Sequence, residues 1–296
     1  MPSACSMTGA RPVAGHRHLR VASRLLPAVL LAASAALLPA GAQDASPKPY
    51  RSGILGAEDQ RVAVAPDRWP WTAIGRVNVV RGPNHRGYCT GTLIATRLVV
   101  TAAHCLFDAR VNAYTRPQAV HFVAGQAQDK FIAHSLVASF VTSPKFFFSV
   151  EERPRWDKID AFMTAHDWAL LTLQDTLPVD PIPIAPLPHA DLPGRGEAQV
   201  VLAGYGGDRP FLLSVHKGCT AKTDDPGDGA LTHHCDSMPG ESGAPVLLLD
   251  GDKASLIGIH AAVATRFEPQ AGYRALLGHG VAATQFEAEV AAAQQK

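Results

Sequence analysis

The feature that most constrains this chain is its punctuation. From Trp69 onward, short runs rich in β-branched and aliphatic residues alternate with Gly, Pro, Asn and Asp: residues 72–80, 90–95, 98–103, 119–124, 136–141, 168–173, 199–205, 246–249 and 255–260. Runs of that length suit strands and are too short for ordinary helices, so they predict an all-β fold. Asp250-Gly251 between the last two predicts a tight hairpin, because such a turn needs a positive φ. Pro178, Pro181, Pro183, Pro186 and Pro188 crowd one segment, and none of them has an amide to give to a sheet ladder. Residues 177–189 are therefore read as a connector between two halves, 54–176 and 190–280. The tail, 281–296, is rich in Ala, Glu and Gln and predicts a helix.

Ahead of this pattern lies a stretch of a different kind. Arg11, Arg17, Arg20 and Arg24 precede an apolar run from Leu25 to Leu38, and Ala40-Gly41-Ala42 follows. That order matches a signal peptide over residues 1–42, cut after Ala42. The run is interrupted by Pro27 and is shorter than the about 20 residues needed to span a bilayer, so no stable membrane association is expected after cleavage. Residues 43–53 read as a propeptide or linker. The expected location is secreted or periplasmic.

With the four leader arginines set aside, the 27 basic and 26 acidic side chains of the whole chain become a small acidic excess. Such a balance supplies no basic surface for nucleic acid. Nothing in the composition calls for an oligomer, and a monomer is expected. Losing the leader also removes Cys5 and leaves Cys89, Cys105, Cys219 and Cys235. An even number in an oxidising compartment predicts disulfides. Cys89 with Cys105 and Cys219 with Cys235 enclose loops of equal length, each worth about 3 kcal/mol by chain entropy. Free thiols or a metal site are the alternatives, but the spacings fit no zinc pattern. No metal and no cofactor are expected.

Three local motifs carry chemistry. A run of strand character ends in Thr101-Ala102-Ala103-His104-Cys105, which places a histidine beside a cysteine that can tether it. His166-Asp167-Trp168-Ala169-Leu170-Leu171 leads an aspartate into an apolar strand, where a carboxylate must find a strong donor. Asp157, Asp160 and Asp175 are rivals in sequence, though none leads into so apolar a strand. Met238-Pro239-Gly240-Glu241-Ser242-Gly243-Ala244-Pro245 places a serine between glycines that permit a turn aiming the Gly240 and Ser242 amides at one point. A base, an orienting acid, a hydroxyl nucleophile and an oxyanion hole are the parts that acyl transfer to serine requires.

In the order His104, Asp167, Ser242, these motifs resemble the chymotrypsin family, over residues 54 to about 262. An α/β-hydrolase would carry the order Ser, Asp, His. The resemblance implies two six-stranded antiparallel β-barrels with the active site between them, His104 and Asp167 on the first and Ser242 on the second, and a C-terminal helix. It implies a serine endopeptidase that takes protein or peptide substrates through an acyl-enzyme, with Gly240 and Ser242 as the oxyanion hole. Ile54-Leu55-Gly56-Ala57-Glu58-Asp59-Gln60-Arg61-Val62, Cys235-Asp236-Ser237-Met238-Pro239-Gly240 and Ile257-Gly258-Ile259-His260 are similar to the bacterial glutamyl endopeptidase branch. That likeness implies His260 in the substrate pocket and an acidic residue before the scissile bond. A structural histidine is the other reading of His260.

Other residues divide the readings further. Asp236 stands at the offset before the serine where trypsin keeps its basic-specificity aspartate. Because Asp236 follows Cys235 instead of preceding it, it is read as a surface residue. Glu241 is expected to pair with an α-amino group freed by a zymogen cut between Arg51 and Ile54. The insertion 143–166, with Phe146-Phe147-Phe148, is read as a packed surface loop. Adjacent His233 and His234 should point to opposite faces of a strand and share no ion. A catalytically weak binding protein of the same fold, a protease of trypsin-like basic preference and an esterase remain as alternatives.

Overall fold

The computed structural model describes residues 53–146, 164–186, 198–223, 229–269 and 272–295. The leader, nearly all of residues 43–53, residues 147–163 of the insertion and the end of the connector lie outside the described residues.

The chain enters through a two-residue strand, β1 (Val62–Ala63). The first half then follows as β2 (Ile74–Gly82), β3 (His85–Ala95), β4 (Leu98–Thr101), a small hairpin of β5 (Phe107–Asp108) and β6 (Ala113–Tyr114), and β7 (Val120–Ala124), β8 (Ala133–Thr142) and β9 (Ala169–Leu173). Strands β2, β3, β4, β9, β8 and β7 pair in that order into a closed barrel. On β8 the start of the strand alternates buried and exposed residues, as a barrel strand with one wet face must. Every residue of β4 is buried, and so are all but one of β9, which explains why both read as continuous apolar runs. These two strands pair antiparallel with Thr101 opposite Ala169. The residues just past the end of β4 and just before the start of β9 therefore meet at one rim.

The second half contains β10 (Ala198–Gly204), β11 (Ser214–Cys219), β12 (Ala221–Lys222), β13 (Ala230–His233), β14 (Pro245–Asp250), β15 (Lys253–Glu268) and β16 (Gly272–Ala282). Here the expectation of a second closed barrel is corrected. With β1 these strands form an open eight-stranded sheet in the order β1-β11-β10-β14-β15-β16-β13-β12. Strand β12, at one edge, follows β11, near the other, after the single residue Thr220. Its two residues pair with β13 alone, Ala221 opposite His233 and Lys222 opposite Thr232. Gly251 takes φ +58 in the predicted Asp250-Gly251 hairpin, which joins β14 to β15.

The connector makes hydrogen bonds on both sides without forming a sheet strand. Ile182 N–H donates to Leu93 O at 2.9 Å, and Leu256 N–H donates to Pro183 O at 2.8 Å, so the segment ties β3 to β15. The C-terminal helix, α1 (Glu287–Gln294), starts later than the composition suggests, because Val281 and Ala282 are the last residues of β16. Phe286, at its start, is fully buried beside Trp168, with ring centres 6.2 Å apart. The disulfides Cys89–Cys105 and Cys219–Cys235 are both formed.

Candidate active site

The rim shared by β4 and β9 brings two of the three motif residues together. His104 sits in the short 3-10 turn Ala103–Leu106 that follows β4, and Asp167 immediately precedes Trp168 and β9. Asp167 holds the histidine at two points: Oδ1 accepts the His104 backbone N–H at 2.9 Å, and Oδ2 lies 2.5 Å from Nδ1. A two-point grip fixes both the position of the ring and its tautomer. Nδ1 carries the shared proton, and Nε2 is left as the basic nitrogen. Burial pushes the His104 pKa down, but the Asp167 charge and hydrogen bond outweigh it and hold the imidazole above its ordinary value. Among the sequence rivals, Asp175 instead accepts from the Ser135 hydroxyl. Asp157 and Asp160 lie outside the described residues.

The third motif approaches from the other half. Thr90 N–H donates to Ser242 O at 2.9 Å. Cys105 Sγ lies 3.9 Å from the same oxygen and 3.8 Å from His104 Nε2. Ser242 and the free side of the imidazole thus border one sulfur atom. The turn depends on its glycines. Gly243 takes φ +78, and a Cβ there would stand 2.3 Å from Thr101 Oγ1 and 2.4 Å from Thr90 O, so a side chain would push the Ser242 turn off the first barrel. Gly240 takes φ +102.

Amide use across this turn is uneven. Glu241, Gly243 and Ala244 donate to Met238 O, His260 O and Glu241 O at 3.0, 2.7 and 2.9 Å. Among the described residues, no acceptor takes the amides of Gly240 and Ser242. The sulfurs of Cys89 and Cys105 are bonded to each other beside His104, which leaves no thiolate there for a metal.

His260 is buried on β15, next to the loop that carries Ser242, and its ring is part of a chain of donors. Cys235 N–H donates to His233 Nδ1 at 3.2 Å, so the His233 proton lies on Nε2, which faces His260 Nδ1 at 2.9 Å. That order makes Nε2–H the remaining donor of His260. Burial, with repulsion from His104 and His279, pushes His260 down to about 3, and burial also drives His233 well below its ordinary value. Both rings are neutral at physiological pH. His234 turns the other way, its ring 3.2 Å from Thr220 Oγ1, as alternation along a strand requires. The partnership of His233 with His260 was hidden from sequence reasoning because 27 residues separate them.

Near the loop one expectation is overturned and an unforeseen pairing is found. Asp236 is buried, not on the surface: its oxygens accept the amides of Leu55 at 2.9 Å and Gln60 at 2.8 Å. Its carboxylate clamps the N-terminal segment and is unavailable to a basic substrate side chain. Glu241 is engaged by groups other than the expected α-amino partner: Arg61 Nη1 donates to its Oε1 at 2.8 Å and Met238 N–H to its Oε2 at 3.1 Å. Ser237 N–H also donates to Gly53 O at 2.9 Å, so the segment is docked upstream of Ile54. Burial pushes the Glu241 carboxyl up to about 7, against the pull of Arg61.

Comparison with known proteins agrees with this arrangement. A glutamyl endopeptidase solved in complex with MPD superposes with a TM-score of 0.58 at 17% identity, covering 82% of this chain and all of that one. The protease Anisep from Arthrobacter nicotinovorans superposes with a TM-score of 0.54 at 16% identity, covering 78% of this chain and 99% of that one. At such identities the likeness is one of fold. Human transmembrane protease serine 5 is 42% identical over 64 residues, a match spanning 22% of this chain and 12% of that relative's length. The trypsin-like peptidase domain model matches residues 89–259, which include all three motifs, and the chain belongs to that family.

Proposed function

We propose that the protein is a secreted serine endopeptidase in which His104, Asp167 and Ser242 act as the catalytic triad. The observation that carries the reading is the double grip of Asp167 on His104, which leaves Nε2 as the basic nitrogen 3.8 Å from the Cys105 sulfur that the Ser242 backbone oxygen also borders. Nε2 takes the Ser242 hydroxyl proton as Oγ attacks the scissile carbonyl, and the imidazolium that forms is stabilised by Asp167. Negative charge on the former carbonyl oxygen is met by the Gly240 and Ser242 amides. His104 then gives its proton to the departing amine, leaving an ester on Ser242. Water, deprotonated by the same nitrogen, releases the acid and restores the serine.

An acidic residue before the scissile bond is the preference this reading favours. His260 offers a neutral Nε2–H donor backed by His233, and a substrate carboxylate would favour protonation of the pair. The engaged carboxylate of Asp236 speaks against a basic preference.

Fluorophosphonate labelling of the native protein, absent in Ser242→Ala, tests the nucleophile. Asp167→Asn should lower kcat by about 10⁴-fold while labelling persists at a reduced rate. Peptide-library cleavage with product sequencing tests the preference, and cleavage after Lys or Arg would reverse it. Failure of the native protein to label would instead favour a binding protein of the same fold.

A further inference from the structure

Arg76 is the most unusual side chain outside the triad. It lies on β2, only 7% exposed, with its guanidinium carbon 4.0 Å from the centre of the Tyr88 ring and 4.5 Å from that of Phe211. Its Nε is buried without an acceptor, and among the described residues no carboxylate or carbonyl takes any of its N–H groups. Guanidinium groups are ordinarily buried with anionic partners, because the desolvation of the charge must be offset. Aromatic rings over its face supply part of that offset and leave the planar N–H edge for a ligand.

The group borders a cleft of about 500 Å³ that is also lined by Asn78, Arg86, Gln118 and Phe211. No aspartate or glutamate lines it. Arg86 adds a second cation at the exposed margin, so the cleft combines a buried guanidinium, an exposed one, neutral donors and an apolar wall. Such a lining suits a carboxylate on a peptide.

Position ties the cleft to catalysis. The Tyr88 ring that covers Arg76 also packs against the oxyanion loop: a Cβ on Gly240 would lie 2.7 Å from Tyr88 Cε2. His260 flanks the nucleophile through a different contact, accepting from Gly243 N–H and donating to Ala244 O. On the reading above the residue before the scissile bond faces His260, which leaves the Tyr88 contact of the loop for the chain after it.

We propose that Arg76 is the anion-binding group of a substrate subsite on the leaving-group side, one that selects a carboxylate shortly after the scissile bond. The proposal rests on the serine-peptidase reading above. An acidic side chain or the free C-terminus of a short peptide would both supply the carboxylate, which Arg76 would take bidentately.

Internally quenched peptides, identical before the scissile bond, separate these cases. They carry Glu or Gln at each of the first three following positions, with free or amidated ends. One charged hydrogen-bonded contact predicts about a tenfold higher kcat/KM for Glu over Gln at one position, and salt should weaken it. The Glu-to-Gln ratio should fall towards unity in Arg76→Met and by a smaller factor in Arg86→Gln. A preference confined to peptides with a free end would assign the site to the C-terminal carboxylate.

Equal rates for Glu and Gln and for free and amidated ends in the native enzyme, or a ratio unchanged in Arg76→Met, would overturn the subsite and leave the peptidase reading intact. Absence of all cleavage together with absence of Ser242 labelling would overturn both. If Arg76→Met does not fold, the native ratio and its salt dependence decide.

Discussion

Arg61 and Arg76 are both buried arginines beside the loop that carries Ser242, yet their surroundings are opposite. Arg61 is held by three carboxylates, Asp59 at 3.0 Å, Asp208 at 2.9 Å and Glu241 at 2.8 Å. Arg76 has two aromatic rings and, among the described residues, no anion. Burial opposes the charge in both cases. Its partners raise the Arg61 pKa above the ordinary arginine value, whereas burial prevails at Arg76 and lowers it. A saturated guanidinium is structural cement. It joins the N-terminal segment to the residue preceding Ser242. An unsaturated one retains its capacity for an external anion.

Replacing each arginine by methionine is the most direct way to break this contrast. Arg61→Met strands Glu241, which is 1% exposed, and should cost about 3–5 kcal/mol in urea unfolding. The double variant Arg61→Met/Glu241→Met should recover much of the loss, because an apolar pair of similar volume no longer buries a lone charge. Arg76→Met should change stability by no more than about 1 kcal/mol, since it removes a buried charge that lacks a counter-ion. A loss as large as that of Arg61→Met would place both arginines in the same structural role.

Acid titration sharpens the comparison by a smaller effect. Asp59 and Asp208 lie below 3.8: burial raises them, but the Arg61 hydrogen bonds and charge more than offset it. Their contribution is complete above that value and is lost as the pH falls through their lowered pKa values. Glu241 takes its proton earlier, near pH 7. The stability cost of Arg61→Met, measured by urea unfolding across pH, should therefore shrink in two steps, first around neutrality and again below about 3.8. That of Arg76→Met should show no step below about 3.8, because no aspartate or glutamate lines its cleft.

How much of this was legible in the sequence depended on how local each contact is. The Asp250-Gly251 hairpin, the paired cysteines and the strand runs were readable, since turn chemistry and short-range alternation encode them. The long β16 was missed because Gly272, Gly278 and Gly280 interrupt its pattern. Gly278 and Gly280 are forced by neighbours: a Cβ would stand 2.1 Å from the His233 ring and 2.2 Å from Ile259 O. Arg61 pairs with Glu241 across 180 residues, and Leu55 meets Asp236 across 181. No spacing rule reaches that far, which is why Asp236 was read as exposed and the Arg61 partner of Glu241 was not foreseen.

By itself, the amino-acid order determined the strand class, the cysteine pairing and the identity of three chemically competent motifs, because each is written in adjacent residues whose backbone preferences and side-chain chemistry act locally. Tertiary structure alone decided that the second sheet stays open, that Asp236 clamps the N-terminal segment and that one buried arginine is saturated while the other is not. Those outcomes depend on which distant groups share a low-dielectric interior, and burial there sets whether a charge is neutralised, paired or left for a ligand.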